Sequence, residues 1–262
     1  MIRVERLHKH FGGFRAVDGV TLKIAPGSIT GLIGPNGAGK TTLFNVIAGT
    51  LPPTGGHVFM NGEDITGLAP HDLFHKGLLR TFQIAHEFAS MSVRENLMLV
   101  PGRQQGERIW NTWIGRRRIA AEEEEIRKKA DEVMEFLTID HLRDERAGNL
   151  SGGQKKLLEL GRTMMVDAQI VFLDEVGAGV NRTLLRTIGD AIRRLNRERS
   201  YTFCMIEHDM DFIGRLCDPV ICMAEGKVLA EGTIDQIKSN EHVIEAYLGT
   251  GLKNRIREDV KA

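Results

Sequence analysis

A chain of 262 residues is long enough for one or two domains around a large core. Its 35 Lys+Arg balance 35 Asp+Glu to a formal net charge of +0, so total charge gives no pull toward nucleic acid or any strongly charged partner. No apolar run approaches the roughly 18 residues of a membrane span, and the start MIRVERLHKHFGG lacks the apolar centre of a signal peptide, so a soluble intracellular protein is expected.

In chain order, IRVERL, AVDGVTLKI and SITGLIG predict short strands separated by turns. Ile29 to Ile33 reads as a buried strand, and Thr42 to Ala48 as a helix closed by Gly49. After the loop LPPTGG, HVFMNGEDI predicts a hairpin turning at Asn61-Gly62, a dipeptide that readily supplies positive φ. From about Val93 to Leu142 the stretches become long, charged and helix-favouring, as in AAEEEEIRKKADEVMEFLTI, which predicts a helical subdomain inserted into an α/β core. QIVFLDE and YTFCMIEH, separated by the helical RTLLRTIGDAIRRLNRE, give the alternation of a parallel sheet. PVICMAEGKVLAEG predicts a hairpin at Glu225-Gly226, and SNEHVIEAYLG a closing helix capped by Ser239 or Asn240. Cys204, Cys217 and Cys222 lie among apolar neighbours with no C-x-x-C pair, so buried reduced thiols are expected rather than disulfides or a zinc site.

Between the strand ending at Ile33 and the following helix stands GPNGAGKTT, in which Gly34-x-x-x-x-Gly39-Lys40-Thr41 is a P-loop in the context that motif needs. Glycines at 34, 37 and 39 let the backbone curl with its N–H groups inward, and the new helix adds its positive dipole end. A nucleotide's phosphates are therefore expected against Gly34, Asn36, Gly37, Ala38, Gly39 and Thr42. Lys40 is placed to reach the β- and γ-phosphates, and the Thr41 hydroxyl to ligate Mg²⁺.

LSGGQ, Leu150 to Gln154, opens a second helix. Ser151 can cap it, while Gly152 and Gly153 stand where alanine would favour the helix, which argues for bare N–H groups and a second ligand contact. IVFLDE ends an apolar strand in two carboxylates: Asp174 suits Mg²⁺, and Glu175 can face the γ-phosphate and polarise the attacking water. Gln83 in RTFQ can contact metal or water, and His208 in MIEHD can hydrogen-bond the γ-phosphate. Singly, each would more often be structural; their weight comes from order.

That order, P-loop, Gln83, LSGGQ, Asp174-Glu175, His208, resembles the ATP-binding cassette of an ABC transporter along essentially the whole chain. The resemblance implies an α/β fold: a P-loop ATPase core with a parallel sheet, an N-terminal antiparallel β subdomain and an inserted helical subdomain. Residues 1–92 and 160–262 would form the core and the β subdomain, and 93–159 the helical part ending in the signature. It also implies ATP and Mg²⁺ as ligands, with Thr41, Gln83 and Asp174 at the metal. ATP would be sandwiched between two cassettes, Ser151, Gly152, Gly153 and Gln154 of one acting on nucleotide held by the other. Phe11 in KHFGGF occupies the place of an aromatic against adenine; a core phenylalanine is the alternative.

HFGGFRAVDGV, RTFQ, MSVRENL, GAGVN, MIEHDM and the terminal VIEAYLG are similar to the ATP-binding subunit of branched-chain amino acid importers. This implies a second, paralogous cassette, or a homodimer in isolation, together with two permease subunits and a periplasmic solute-binding protein, but no nucleic acid. The protein would lie peripherally on the cytoplasmic face of the inner (cell) membrane. Gly179-Val180-Asn181 would be the loop facing the partner cassette, with Asn where cassettes in general carry Asp. Val176 departs from the usual Pro after the catalytic Glu, freeing φ and restoring a donor N–H. IWNTWIGRRR, with Trp110, Trp113 and Arg116 to Arg118, is unexplained by the motifs: it fits lipid headgroups or a permease, or else a packed Trp pair beside a solvated basic turn. The alternatives are a cassette of another transport class, such as lipopolysaccharide export, or a soluble cassette ATPase on nucleic acid or ribosomes. The filled hydrolytic positions argue against a non-hydrolytic ATP sensor.

Overall fold

The computed structural model describes residues 1–80, 87–102, 116–166 and 168–248. Met1–Arg80, Gln169–Glu175 and Arg193–Ala262 form one compact unit; Thr81–Ala168 and Val176–Ile192 form another.

The first unit contains two sheets. In β1 (Ile2–Phe11), Ile2, Val4 and Leu7 are buried while their neighbours are partly exposed, the alternation of a strand with one covered face. It lies between β2 (Phe14–Ile24) and β4 (Gly55–Met60), with β5 (Glu63–Asp64) outermost, in an antiparallel order β2-β1-β4-β5. The β4–β5 turn falls at Asn61 and Gly62, with φ of 52° and 89°, as the sequence leads one to expect.

The second sheet has the order β10-β9-β3-β8-β7-β6. Its strands are β3 (Ile29–Ile33), β6 (Leu78–Arg80), β7 (Ile170–Asp174), β8 (Thr202–Ile206), β9 (Val220–Ala224) and β10 (Lys227–Gly232). All adjacent pairs are parallel except β9–β10, the hairpin expected at Glu225-Gly226. Every residue of β3, β7 and β8 is buried, which explains why these strands read as continuous apolar runs rather than alternating ones. The helix α1 (Lys40–Ile47) begins two residues before the expected Thr42. Its Phe44 ring stacks on Phe172 of β7 with centroids 4.7 Å apart, and burying each ring contributes about 2–3 kcal/mol. The short helix α2 (Pro70–His75) follows in the same unit.

The second unit is helical. The helix α3 (Val93–Met98) opens on a capping box between Ser92 and Glu95; α4 (Arg116–Phe136) and α5 (Gly152–Met164) follow. The helix α6 (Arg182–Arg199), which belongs to this unit only as far as Ile192, starts where Asn181 Oδ1 accepts a hydrogen bond from Leu184 N at 2.9 Å. Back in the first unit lie α7 (Met210–Leu216) and α8 (Ile234–Ser239), the latter opened by a Thr233–Gln236 capping box. The closing helix over 241–248 is capped by Asn240, whose Oδ1 accepts from His242 N and Val243 N. The architecture is the expected α/β P-loop core with an N-terminal antiparallel sheet. No helix among the described residues is long and apolar enough to cross a membrane.

Candidate active site

In the second sheet β8 lies between β3 and β7, and all three run parallel. Their C-terminal ends therefore share one edge, where open α/β sheets hold their ligands. The P-loop leaves β3, Asp174 ends β7 with Glu175 just beyond, and Glu207 and His208 follow β8.

Two P-loop glycines are sterically required. A Cβ on Gly34 (φ 148°) would fall 2.1 Å from the Met223 carbonyl oxygen, and one on Gly39 (φ 96°) 2.2 Å from that of Ala16. Gly39 also serves as the N-cap of α1 with no side-chain capping bond, which leaves the first-turn N–H groups for a ligand. Lys40 is 6% exposed, and its Nζ donates to the carbonyls of Gly34 at 2.7 Å and Pro35 at 3.0 Å. Burial pulls its pKa below the usual lysine value, with the nearby Glu175 carboxylate opposing the shift.

A cavity of about 230 Å³ is lined by the loop from Asn36 to Thr42, by Glu175 and His208, and by Phe14 and Ala16 of β2. His208 Nε2 lies 3.1 Å from Glu175 Oε1. The Glu175 N–H donates to Ile206 O at 3.0 Å, tying the residue to the end of β8. Its φ of 51° is left-handed, at about 1–2 kcal/mol for a non-glycine residue. A proline at 176 would press the preceding residue toward extended backbone, so Val176 is what leaves Glu175 free to take this conformation.

Asp174 is 2% exposed, and its Oδ2 receives a 2.8 Å hydrogen bond from Arg80 at the end of β6. Arg80 also donates to Asn45 Oδ1 in α1, and its Nε is buried with no partner among the described residues. Arg80 opens the RTFQ string that also holds Gln83, and nothing in the string itself marks its role. Removing one member of a buried pair strands the other, so Arg80→Gln should lower folding stability by about 3–5 kcal/mol in urea titration. Adding Asp174→Asn to that variant should recover part of the loss; strictly additive losses would deny the coupling.

Gln83, Trp110 and Trp113 lie outside the described residues. Phe11 is half exposed beneath Lys9 Nζ, 5.1 Å from its ring centre, and does not line the cavity; its cross-strand partner Phe14 does. The string FGGF offers two aromatics, and only the hairpin register separates them. Cys204, Cys217 and Cys222 are free and buried, as expected, and burial pushes the Cys217 thiol up to about 12.

In the second unit, the Ser151 hydroxyl accepts from Gln154 N while the Gln154 side chain accepts from Ser151 N, a closed capping box. A Cβ on Gly153 would lie 1.8 Å from Leu184 Cδ2, so a larger residue here would have to push that side chain of α6 aside. Gly152 is exposed at the helix start and Gly153 is buried, so packing against α6 is a second reason for glycine at 153 beside a ligand contact.

The sequence matches the ABC transporter family model over residues 17–178 and the branched-chain amino acid ATP-binding cassette transporter model over residues 227–253. It is 42% identical to the probable branched-chain amino acid transport ATP-binding protein LivG of Archaeoglobus fulgidus, over 95% of both chains. To the high-affinity branched-chain amino acid transport ATP-binding protein BraF of Pseudomonas aeruginosa it is 36% identical, over 95% of this chain and 98% of that one. Among solved structures, the ADP conformation of an ATP-binding cassette of an ABC transporter has a TM-score of 0.82 at 38% identity, covering 95% of this chain and 98% of the other. A nucleotide-free ATP-binding cassette gives 0.81 at 38%, covering 94% and 98%. The chain belongs to the ABC transporter family as an ATP-hydrolysing cassette, akin to the ATP-binding proteins of branched-chain amino acid transport.

Proposed function

We propose that this cassette powers import of branched-chain or related amino acids, working peripherally on the cytoplasmic face of the cell membrane with two permease subunits, a second cassette and, indirectly, a periplasmic binding protein. The observation that carries its chemistry is the Glu175–His208 pair, 3.1 Å apart on the lining of the P-loop cavity. Lys40 exchanges its two loop carbonyls for phosphate oxygens, and the N–H groups of the loop and first turn receive the rest of that charge. Glu175 accepts a proton from the attacking water, and His208 holds the Glu175 carboxylate while donating toward the γ-phosphate. Phe14 offers its ring to adenine, with Phe11 beside it across the hairpin.

The donors at the strand ends suit a hard cation: the Thr41 hydroxyl is exposed at the start of α1, and Asp174 supplies an anionic oxygen. With Gln83 they would hold Mg²⁺, which neutralises phosphate charge when bound. The partner cassette would bring its own Ser151, Gly152, Gly153 and Gln154 to this nucleotide, and receive the same in return.

The test is purification from native membranes. Two permease subunits and a second cassette should accompany the protein, and ATPase activity of the reconstituted assembly should rise with leucine-, isoleucine- or valine-loaded binding protein. Recovery with ribosomes or DNA, or stimulation by a lipid-linked saccharide instead, would overturn the reading.

A further inference from the structure

Outside the nucleotide cavity, β1 and β2 bring together two imidazoles and a carboxylate. The two-residue period of β1 sets His8 and His10 on the face opposite the buried Leu7 and Lys9. Strand register then pairs His8 with Asp18 and His10 with Arg15. One ligand atom from each of His8, His10 and Asp18 lies within 4.8 Å of the other two.

Three features go beyond proximity. His8 Nδ1 and Asp18 Oδ1 are 3.3 Å apart, which is about the edge of a tetrahedron whose bonds to zinc are near 2.0 Å. Among the described residues His10 Nε2 is buried with no hydrogen-bond partner, an arrangement native interiors seldom leave in place. The two imidazole rings meet edge to face with centroids 5.7 Å apart, which sets a nitrogen of each within 4.8 Å of the other and of an Asp18 oxygen.

The neighbouring cations do not block the position. Arg15 and Lys227 approach Asp18 at 3.7 Å and 3.6 Å, but both do so at Oδ2, leaving Oδ1 toward the histidine. There they fix the carboxylate's orientation, as outer partners of ligating carboxylates do.

We propose that His8, His10 and Asp18 form a binding site for a divalent transition metal of the zinc class, completed by water. Two nitrogens and one carboxylate select such an ion over Mg²⁺ or Ca²⁺, which take oxygen donors. The ion would staple β1 to β2 next to the Gly12-Gly13 turn, in the hairpin that carries Phe11 and Phe14. The site is independent of the hydrolytic residues and of the transported solute.

The experiment titrates the full-length protein, stripped with EDTA, with Zn²⁺ alone and with Co²⁺ alone. One equivalent should bind with micromolar affinity, and Co²⁺ should give visible d–d bands without thiolate charge-transfer absorption. His10→Gln and Asp18→Asn should each weaken binding by more than about tenfold, while His8→Gln provides a third, independent ligand deletion. Thermal melts of the variants in EDTA should match the parent, and Zn²⁺ should raise the melting temperature of the parent alone. Millimolar binding, thiolate bands, or affinity unchanged in folded His8→Gln and His10→Gln would overturn the site.

Discussion

Glu175→Gln should leave ATP affinity unchanged while lowering turnover by about 10²–10⁴-fold. The amide keeps the size of the side chain and its hydrogen bond to His208 Nε2, now 3.1 Å from Glu175 Oε1, but it cannot accept a proton from water. Glutamine also adopts the φ of 51° at the same strain as glutamate, so the backbone at the end of β7 has no reason to move. Lys40→Ala provides the contrast. It removes the cation that Gly34 and Pro35 now hold at the base of the loop, and the defect should appear as lost nucleotide binding. Equilibrium binding of a fluorescent ATP analogue, with steady-state phosphate release, separates the two outcomes. If the Gln variant hydrolysed ATP at the parent rate, the proton would have to leave by another group, and His208 would be the next to substitute.

What the amino-acid sequence made legible was local or repetitive. Ile29–Ile33 carries no charge and is buried at every position because β3 is covered on both faces, and that run located the strand and so the P-loop. The turns at Asn61-Gly62 and Glu225-Gly226 declare themselves through Asn61, Gly62 and Gly226, residues that accept positive φ. Arg80 shows the opposite case. Its strand, β6, has three residues, too few for a period to register, and its partner Asp174 lies 94 positions away in the chain. A missing side chain at Gly153 has two possible causes, an approaching ligand or an approaching neighbour, and the neighbour, Leu184, is not legible in the sequence. For the closing helix the sequence left Ser239 and Asn240 open as caps; two N–H groups donating to Asn240 Oδ1 decide it, while Ser239 ends α8. The helix α8 itself was legible in principle, since Thr233-x-x-Gln236 is a capping-box string before an apolar residue.

Ser151→Arg should abolish cooperative hydrolysis while sparing nucleotide binding by the isolated chain, because none of the described residues that line the P-loop cavity belongs to the signature. If the signature helix serves nucleotide held by another cassette, parent turnover per subunit should rise with protein concentration or on adding the partner cassette, as for any weakly associating dimer. The substitution has two components that must be separated. It removes an N-cap that accepts from Gln154 N, which should cost about 1 kcal/mol of stability, and it places bulk and charge at an exposed helix start. Ser151→Ala loses the same cap without the bulk, so it should be as destabilised as the Arg variant yet keep more of its turnover. Mixing Ser151→Arg with Lys40→Ala then tests the architecture directly. In a mixed dimer the Arg chain contributes an intact P-loop and the Ala chain an intact signature, so one composite site is complete and activity should return, although each variant alone is silent. Turnover independent of protein concentration, no recovery on mixing, or loss of nucleotide binding by monomeric Ser151→Arg would place the signature's action within its own chain and end the sandwich model.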